Sequence, residues 1–197
     1  MYAGSEGPGA RVHTGLFVIW ASGMKLQQNH FEIFGLPVAF EVDRQALAKR
    51  YRELQQEFHP DRFAAKSERE QMLSMQYAAQ INEANNTLKD PVQRAAYLLQ
   101  LAGVEINPEQ TTADGEFLMQ QMILRERLEE VRDASNPESE LEVLSVEAGE
   151  LLKAQEQAFS SALAANALDE AKGALLKLQF LAKLQSQLEA LEEDLFD

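Results

Sequence analysis

The stretch Glu57-Phe58-His59-Pro60-Asp61-Arg62-Phe63, EFHPDRF, sets a His-Pro-Asp tripeptide between two segments with helical patterning. Upstream, from Asp43 to Phe58, the apolar residues Leu47, Tyr51, Leu54 and Phe58 recur at i, i+4, i+7 and i+11. That spacing marks one face of an amphipathic helix, with Asp43 as its N-cap. Downstream, from Glu68 to Lys89, Leu73, Tyr77, Ile81, Ala84 and Leu88 repeat the pattern. Two such helices joined by a short loop predict an antiparallel pair in which each covers the other's apolar stripe.

The tripeptide itself has few chemical options. The other histidines are His13, near the start of the chain, and His30, in a separate segment, and the chain has no cysteine, so a metal site at His59 lacks ligands. A His59 and Asp61 dyad lacks a nucleophile, and Pro60 fixes the backbone between them so that the two side chains need not face each other. No phosphate-binding glycine-rich loop ending in Lys-Ser or Lys-Thr occurs, so the chain is not expected to hydrolyse ATP. The plain reading is a helix connection in which Pro60 ends one helix and Asp61 helps start the next.

Working outward, His30 to Phe34 reads as a short helix closed by Gly35 and Pro37, and Pro91 starts a helix through Leu101 that Gly103 stops. The polar stretch VEINPEQTTADGE, residues 104–116, then reads as a connection. Three helical segments follow: Asp114 to Arg132; a second from Asn136-Pro137 carrying Leu141, Leu144, Ala148, Leu151 and Ala158; and a third from about Ala167 carrying Leu181, Leu184, Leu188 and Leu195. Nothing reads as a strand. The expected organisation is all-α: a small helical domain over residues 24–102, a linker over 103–113, and a three-helix bundle over 114–197. Residues 1–23 read as a disordered extension or a product of a doubtful start ahead of Met24, because the apolar run Leu16 to Trp20 is too short for a membrane span and short for a signal-peptide core; the competing reading is a divergent targeting segment.

Of the 197 residues, 45% are apolar and 25% charged, the composition of a folded protein with one or two modest cores. The net charge of −14 sits wholly in the second half: residues 1–102 hold 11 basic and 11 acidic residues, and 103–197 hold 7 and 21. Such a surface repels phosphate backbones, which argues against nucleic acid as a partner and leaves proteins. The absence of cysteine excludes disulfides and thiolate-held clusters and suits a reducing cytoplasm.

The setting of the tripeptide resembles the J-domain: FEIFGLP at 31–37, ALAKRYRELQQEFHPDRF at 46–63 and INEANNTLKDPVQRAAYLL at 81–99 are similar to that family's pattern. With FLMQQMILRERLEEV at 117–131 and KLQFLAKL at 177–184, the likeness extends over residues 26–197 to the HscB family, the J-proteins of iron–sulfur cluster assembly. The resemblance implies a J-domain joined to a three-helix bundle in an L shape, without the metal-binding cysteine extension of vertebrate members. It implies a co-chaperone, not an enzyme, that requires no cofactor. Its partners are then a DnaK-type chaperone, HscA, whose ATPase it stimulates, and the iron–sulfur scaffold IscU. By position, His59, Pro60, Asp61 and Arg62 with Lys49, Arg50 and Arg52 are the expected chaperone contacts, Arg62 standing where many relatives have lysine.

On the client side, the residues themselves carry part of the reading. At 100° per residue, Phe117, Leu124, Leu128 and Val131 share one stripe of their helix, while Met119, Met122 and Ile123 fall on the opposite side beside Glu126, Glu129 and Glu130. An apolar patch rimmed by carboxylates suits protein docking, and methionine suits adaptable contacts; packing against the first domain is the alternative. The resemblance assigns Leu118, Met119, Met122, Ile123, Glu126, Glu130 and Phe180 to scaffold binding. Ile123 departs from the pattern, since a close relative has a carboxylate there. Two other readings are a J-domain adaptor with a different client and a purely structural helical protein with a chance His-Pro-Asp.

Overall fold

The structure, a computed structural model, describes residues 28–107 and 110–196; the expectation for residues 1–23 lies outside them. Among the described residues there is no strand. The helices in chain order are α1 (His30–Phe34), α2 (Arg44–Glu57), α3 (Glu68–Lys89), α4 (Pro91–Leu101), α5 (Gly115–Glu130), α6 (Pro137–Ala164) and α7 (Leu168–Phe196), with 3-10 turns at Pro60–Phe63 and Val131–Asp133.

Local chemistry accounts for the helix ends. Asn29 and Glu32 form a reciprocal capping box on α1, which Gly35 closes in the left-handed conformation at φ 65°. The Asp43 carboxylate accepts the Gln45 and Ala46 amides at 2.9 and 3.0 Å and starts α2 where the pattern placed it. Asp90 and Asn136 cap α4 and α6, each followed by proline at the first helical position. Asp61, by contrast, does not start α3. Its residues form the 3-10 turn, and α3 begins after Ser67, whose hydroxyl and amide both donate to Glu70 Oε2 at 2.6 and 3.1 Å.

The chain divides into two compact units. In the first, α2 and α3 pair as an antiparallel hairpin. Its register is set by the Phe58 and Tyr77 rings, 5.2 Å apart, at one end and by Tyr51, whose hydroxyl donates to Asn82 Oδ1 at 2.9 Å, further along. Leu47, Leu54, Phe58, Tyr77, Ile81, Ala84 and Leu88 are buried on the predicted stripes. Leu73 is only half-buried; Ser74 is fully buried instead, its hydroxyl donating to the Gln71 carbonyl at 2.8 Å.

The second unit comprises Ala39–Glu41 and everything from Lys89 onward. By its contacts α4 groups with this unit, packing on α7. The reason is its apolar face, Ala95, Leu98 and Leu99, which is buried in this unit, while the buried Arg94 lays its guanidinium 5.0 Å over Phe40 and Phe40 stacks on Phe159 at 4.9 Å. The three-helix bundle of α5, α6 and α7 holds a core of Phe117, Leu124, Leu141, Leu144, Leu181 and Leu184 with their neighbours. Ala158, placed on the core stripe from sequence, is exposed, and Phe159 occupies the core there. The period of 3.6 drifts against any fixed spacing over a 28-residue helix, and the large ring outcompetes the methyl group for burial. The connection before α5 is also tied down, since Thr112 is buried and Lys172 Nζ donates to the Glu105 carbonyl at 2.9 Å.

Candidate functional site

The His-Pro-Asp loop is held by its two ends. Phe58 and Phe63 are both buried, so the chain between them is pushed outward, and His59, Pro60, Asp61 and Arg62 are all exposed. Within the loop His59 Nδ1 accepts the Asp61 amide at 3.3 Å, which places the proton of the neutral ring on Nε2, facing away from the backbone. The imidazole and the Asp61 carboxylate do approach, with Nδ1 to Oδ2 at 3.6 Å, despite the intervening proline. Among the described residues no group of three or more His, Asp or Glu side chains could hold a metal ion.

Arg62 turns back across the loop and donates to the Gln56 carbonyl at 3.1 Å, satisfying one of the orphan carbonyls at the end of α2 and placing a cation at its negative pole. Arg52, Gln55, Gln56, His59 and Arg62 surround an open concavity of about 490 Å³. Two guanidinium groups and an imidazole around one shallow depression present hydrogen-bond donors of the kind that pair with carboxylates and carbonyls. Of the predicted basic residues, Lys49 is exposed one turn before Arg52 on the same side of α2. Arg50 is not brought there, since it lies about 160° around the helix from Arg52 and pairs with Glu53 at 3.2 Å.

Polar side chains that sequence reasoning did not single out hold this arrangement. Gln55 donates to the Tyr51 hydroxyl at 2.7 Å and to Asn82 Oδ1 at 2.8 Å, locking α2 to α3 beside the concavity. Gln71 ties down the far side of the loop, donating to the Ala64 and Lys66 carbonyls at 3.1 and 3.0 Å. The i, i+4 spacing of Tyr51 and Gln55 is the only sequence signal for either.

The second candidate surface is the outer face of α5. Leu118, Met119, Met122 and Ile123 are 38%, 61%, 67% and 48% exposed, with Glu126 and Glu130 exposed beyond them. Phe180 of α7 is half-buried at the edge of the core, its ring perpendicular to Phe117 at a centroid distance of 5.9 Å. Arg125, unremarked in the sequence, covers the Phe180 ring at 5.1 Å and so limits its rotation.

Asp114 anchors the start of α5. It accepts the Glu116 and Phe117 amides at 3.1 Å each and takes an ion pair from Lys177 of α7 at 2.6 Å. The Lys177 hydrogen bond, followed by that from the Phe117 amide, holds its carboxyl below the usual aspartate range. A folded-state value below the unfolded one means stabilisation that is complete above the ordinary aspartate value and is lost as pH falls through the lowered one. Asp114→Asn, which keeps a capping oxygen but loses the charge, is expected to lower the melting temperature at neutral pH. The gap to the parent closes in acid, as thermal melts across that range will show.

Both halves of the chain match described families. A DnaJ domain model matches residues 29–97, and a model of the HSCB C-terminal oligomerisation domain matches residues 113–189. A co-chaperone protein HscB homolog from Photobacterium profundum is 49% identical over 170 residues, 86% of this chain and 99% of its own. The chain belongs to the HscB family. Among solved structures, chaperone HscB from Vibrio cholerae has a TM-score of 0.80 at 42% identity, covering 86% of this chain and 100% of its own. Human co-chaperone protein HscB has a TM-score of 0.79 at 29% identity, covering 86% and 84%.

As an HscB-family member, the chain is a co-chaperone of the J-domain type. No described helix is long and apolar enough to cross a membrane.

Proposed function

We propose that this HscB-family chain binds an iron–sulfur scaffold protein of the IscU type through the outer face of α5 and presents it to a DnaK-type chaperone of the HscA type in the cytoplasm. There it stimulates ATP hydrolysis and thereby promotes cluster transfer. The observation that carries the client half is the run of large apolar side chains left exposed on α5, with Phe180 beside it and carboxylates at its rim. A helix surface without a partner has no use for four such side chains, whereas an interface core does.

The chaperone half is supported by the exposed His59, Pro60 and Asp61 with Arg52 and Arg62 around one concavity, and by Lys49 along α2. Arg50, committed to Glu53 on another side of α2, is left out of that contact. A J-protein changes the chaperone cycle by binding one nucleotide state better than the other, so its own chemistry need extend no further than fixed hydrogen bonds and charge. Calorimetric titration of the chain with the IscU-type scaffold of the same organism is expected to give saturable one-to-one binding. The two together should raise chaperone ATP turnover above either alone. Stimulation without scaffold binding leaves a J-domain co-chaperone with another client.

A further inference from the structure

The chain has six methionines and no cysteine, so thioether sulfur is its only sulfur open to oxidation. The four within the described residues, Met72, Met75, Met119 and Met122, are all more than half exposed, and none belongs to a core. They form two pairs at i, i+3, one on α3 and one on α5. Met122 and Met119, at 67% and 61%, are the two most exposed large apolar side chains of the described residues.

The pair on α5 occupies the middle of its outer face. Leu118 lies four residues before Met122 and Ile123 four after Met119, so each thioether stands beside an apolar neighbour on that face. The bundle core takes the other side of the helix through Phe117 and Leu124. Solvent therefore reaches both sulfurs, and a change at either acts on this face without opening the core. Helix formation does not call for methionine at these positions, since leucine serves as well. What the thioether adds is a lone pair that attacks a hydroperoxide. With hydrogen peroxide, sulfur bonds to one oxygen as the O–O bond breaks and is oxidised by two electrons; the departing hydroxide takes the proton from the sulfur-bound oxygen and leaves as water. The sulfoxide is polar and accepts hydrogen bonds. Beside it on this face stand Glu126 and Glu130, which when ionised have no proton to donate. An apolar partner surface closing over the sulfoxide would strip its water and return no hydrogen bond.

We propose that Met119 and Met122 form a peroxide-sensitive modification site that switches the α5 face from a client-binding state, with thioethers, to a released state, with sulfoxides. This inference rests on the reading of that face as the scaffold-binding surface and adds its regulation. Methionine sulfoxide reductases, one for each sulfoxide epimer, reverse the step by consuming two thiols, which leave as a disulfide together with water. Met72 and Met75 are as open to peroxide but belong to the first unit and share no residue with the α5 face, which makes them the internal comparison.

The full chain is treated with hydrogen peroxide, the peroxide is removed with catalase, and oxidation at each methionine is read by peptide mass spectrometry before calorimetric titration with the IscU-type scaffold. With sulfoxide at 119 and 122, binding is expected to weaken by about tenfold or more relative to the untreated chain, at unchanged helicity, and to recover after treatment with the two reductases. Each variant is compared with its own untreated form. Met119→Leu/Met122→Leu, which keeps the other four methionines, should bind the same before and after peroxide, whereas Met72→Leu/Met75→Leu should lose as much as the parent. Undiminished binding with both positions oxidised, a fall in helicity that accounts for the loss, or an equal loss in Met119→Leu/Met122→Leu each overturns the switch and leaves the scaffold reading standing. An untreated chain that does not bind the scaffold removes that reading, and the switch with it.

Discussion

Replacing His59 with glutamine is expected to abolish stimulation of the DnaK-type chaperone's ATPase while the helical content and melting temperature stay those of the parent. The side chain is 57% exposed, and its one intramolecular hydrogen bond accepts the Asp61 amide at 3.3 Å, a role the glutamine carbonyl can take over. Surface changes of this kind shift stability by about 0.5 kcal/mol or less. Glutamine cannot reproduce the ring, with Nε2–H held outward while Nδ1 is engaged on the loop's own backbone. If that geometry is what the chaperone reads, single-turnover hydrolysis should fall by at least about tenfold toward the unstimulated rate, a loss of roughly 1.4 kcal/mol or more. Undiminished stimulation by a folded His59→Gln chain would remove the loop from the mechanism.

The triple variant Leu118→Ala/Met122→Ala/Phe180→Ala is expected to lose scaffold binding by about 100-fold or more, since truncating anchors at an interface centre costs about 1 to 2 kcal/mol or more apiece. Phe180 also packs against the bundle core and edge-on to Phe117, so part of its effect falls on stability. A companion variant separates the two: Met119 and Met122 are 61% and 67% exposed, and Met119→Ala/Met122→Ala should keep the parent's melting temperature while still weakening binding by about tenfold. Parent-like calorimetric binding by both variants would place the scaffold elsewhere or remove it as client.

Much of this was legible in the residues. The helix starts at Asp43, Asp90, Asp114 and Asn136 follow from side-chain oxygens that cap free amides, and the hairpin of α2 and α3 follows from two stripes with one short connection. On α5, the apolar residues facing away from the Phe117, Leu124 and Val131 stripe could be picked out because helical geometry alone separates the two faces. Less legible was what supports the loop. Gln55, Gln71 and Asn82 act through contacts up to 31 residues away, and polar residues on a helix have no periodicity that tells a structural hydrogen bond from a solvated side chain.

What local rules of spacing and capping determine here is therefore the set of helices, the exposed His-Pro-Asp connection and the inward face of each helix. Two matters were decided only by packing: α4 groups with the second unit, and Phe159 displaces Ala158 from the core. Burial is a competition among all the surfaces the chain brings together. An amphipathic helix such as α4 carries the same stripe whichever partner it meets, so its place depends on which partner covers that stripe better.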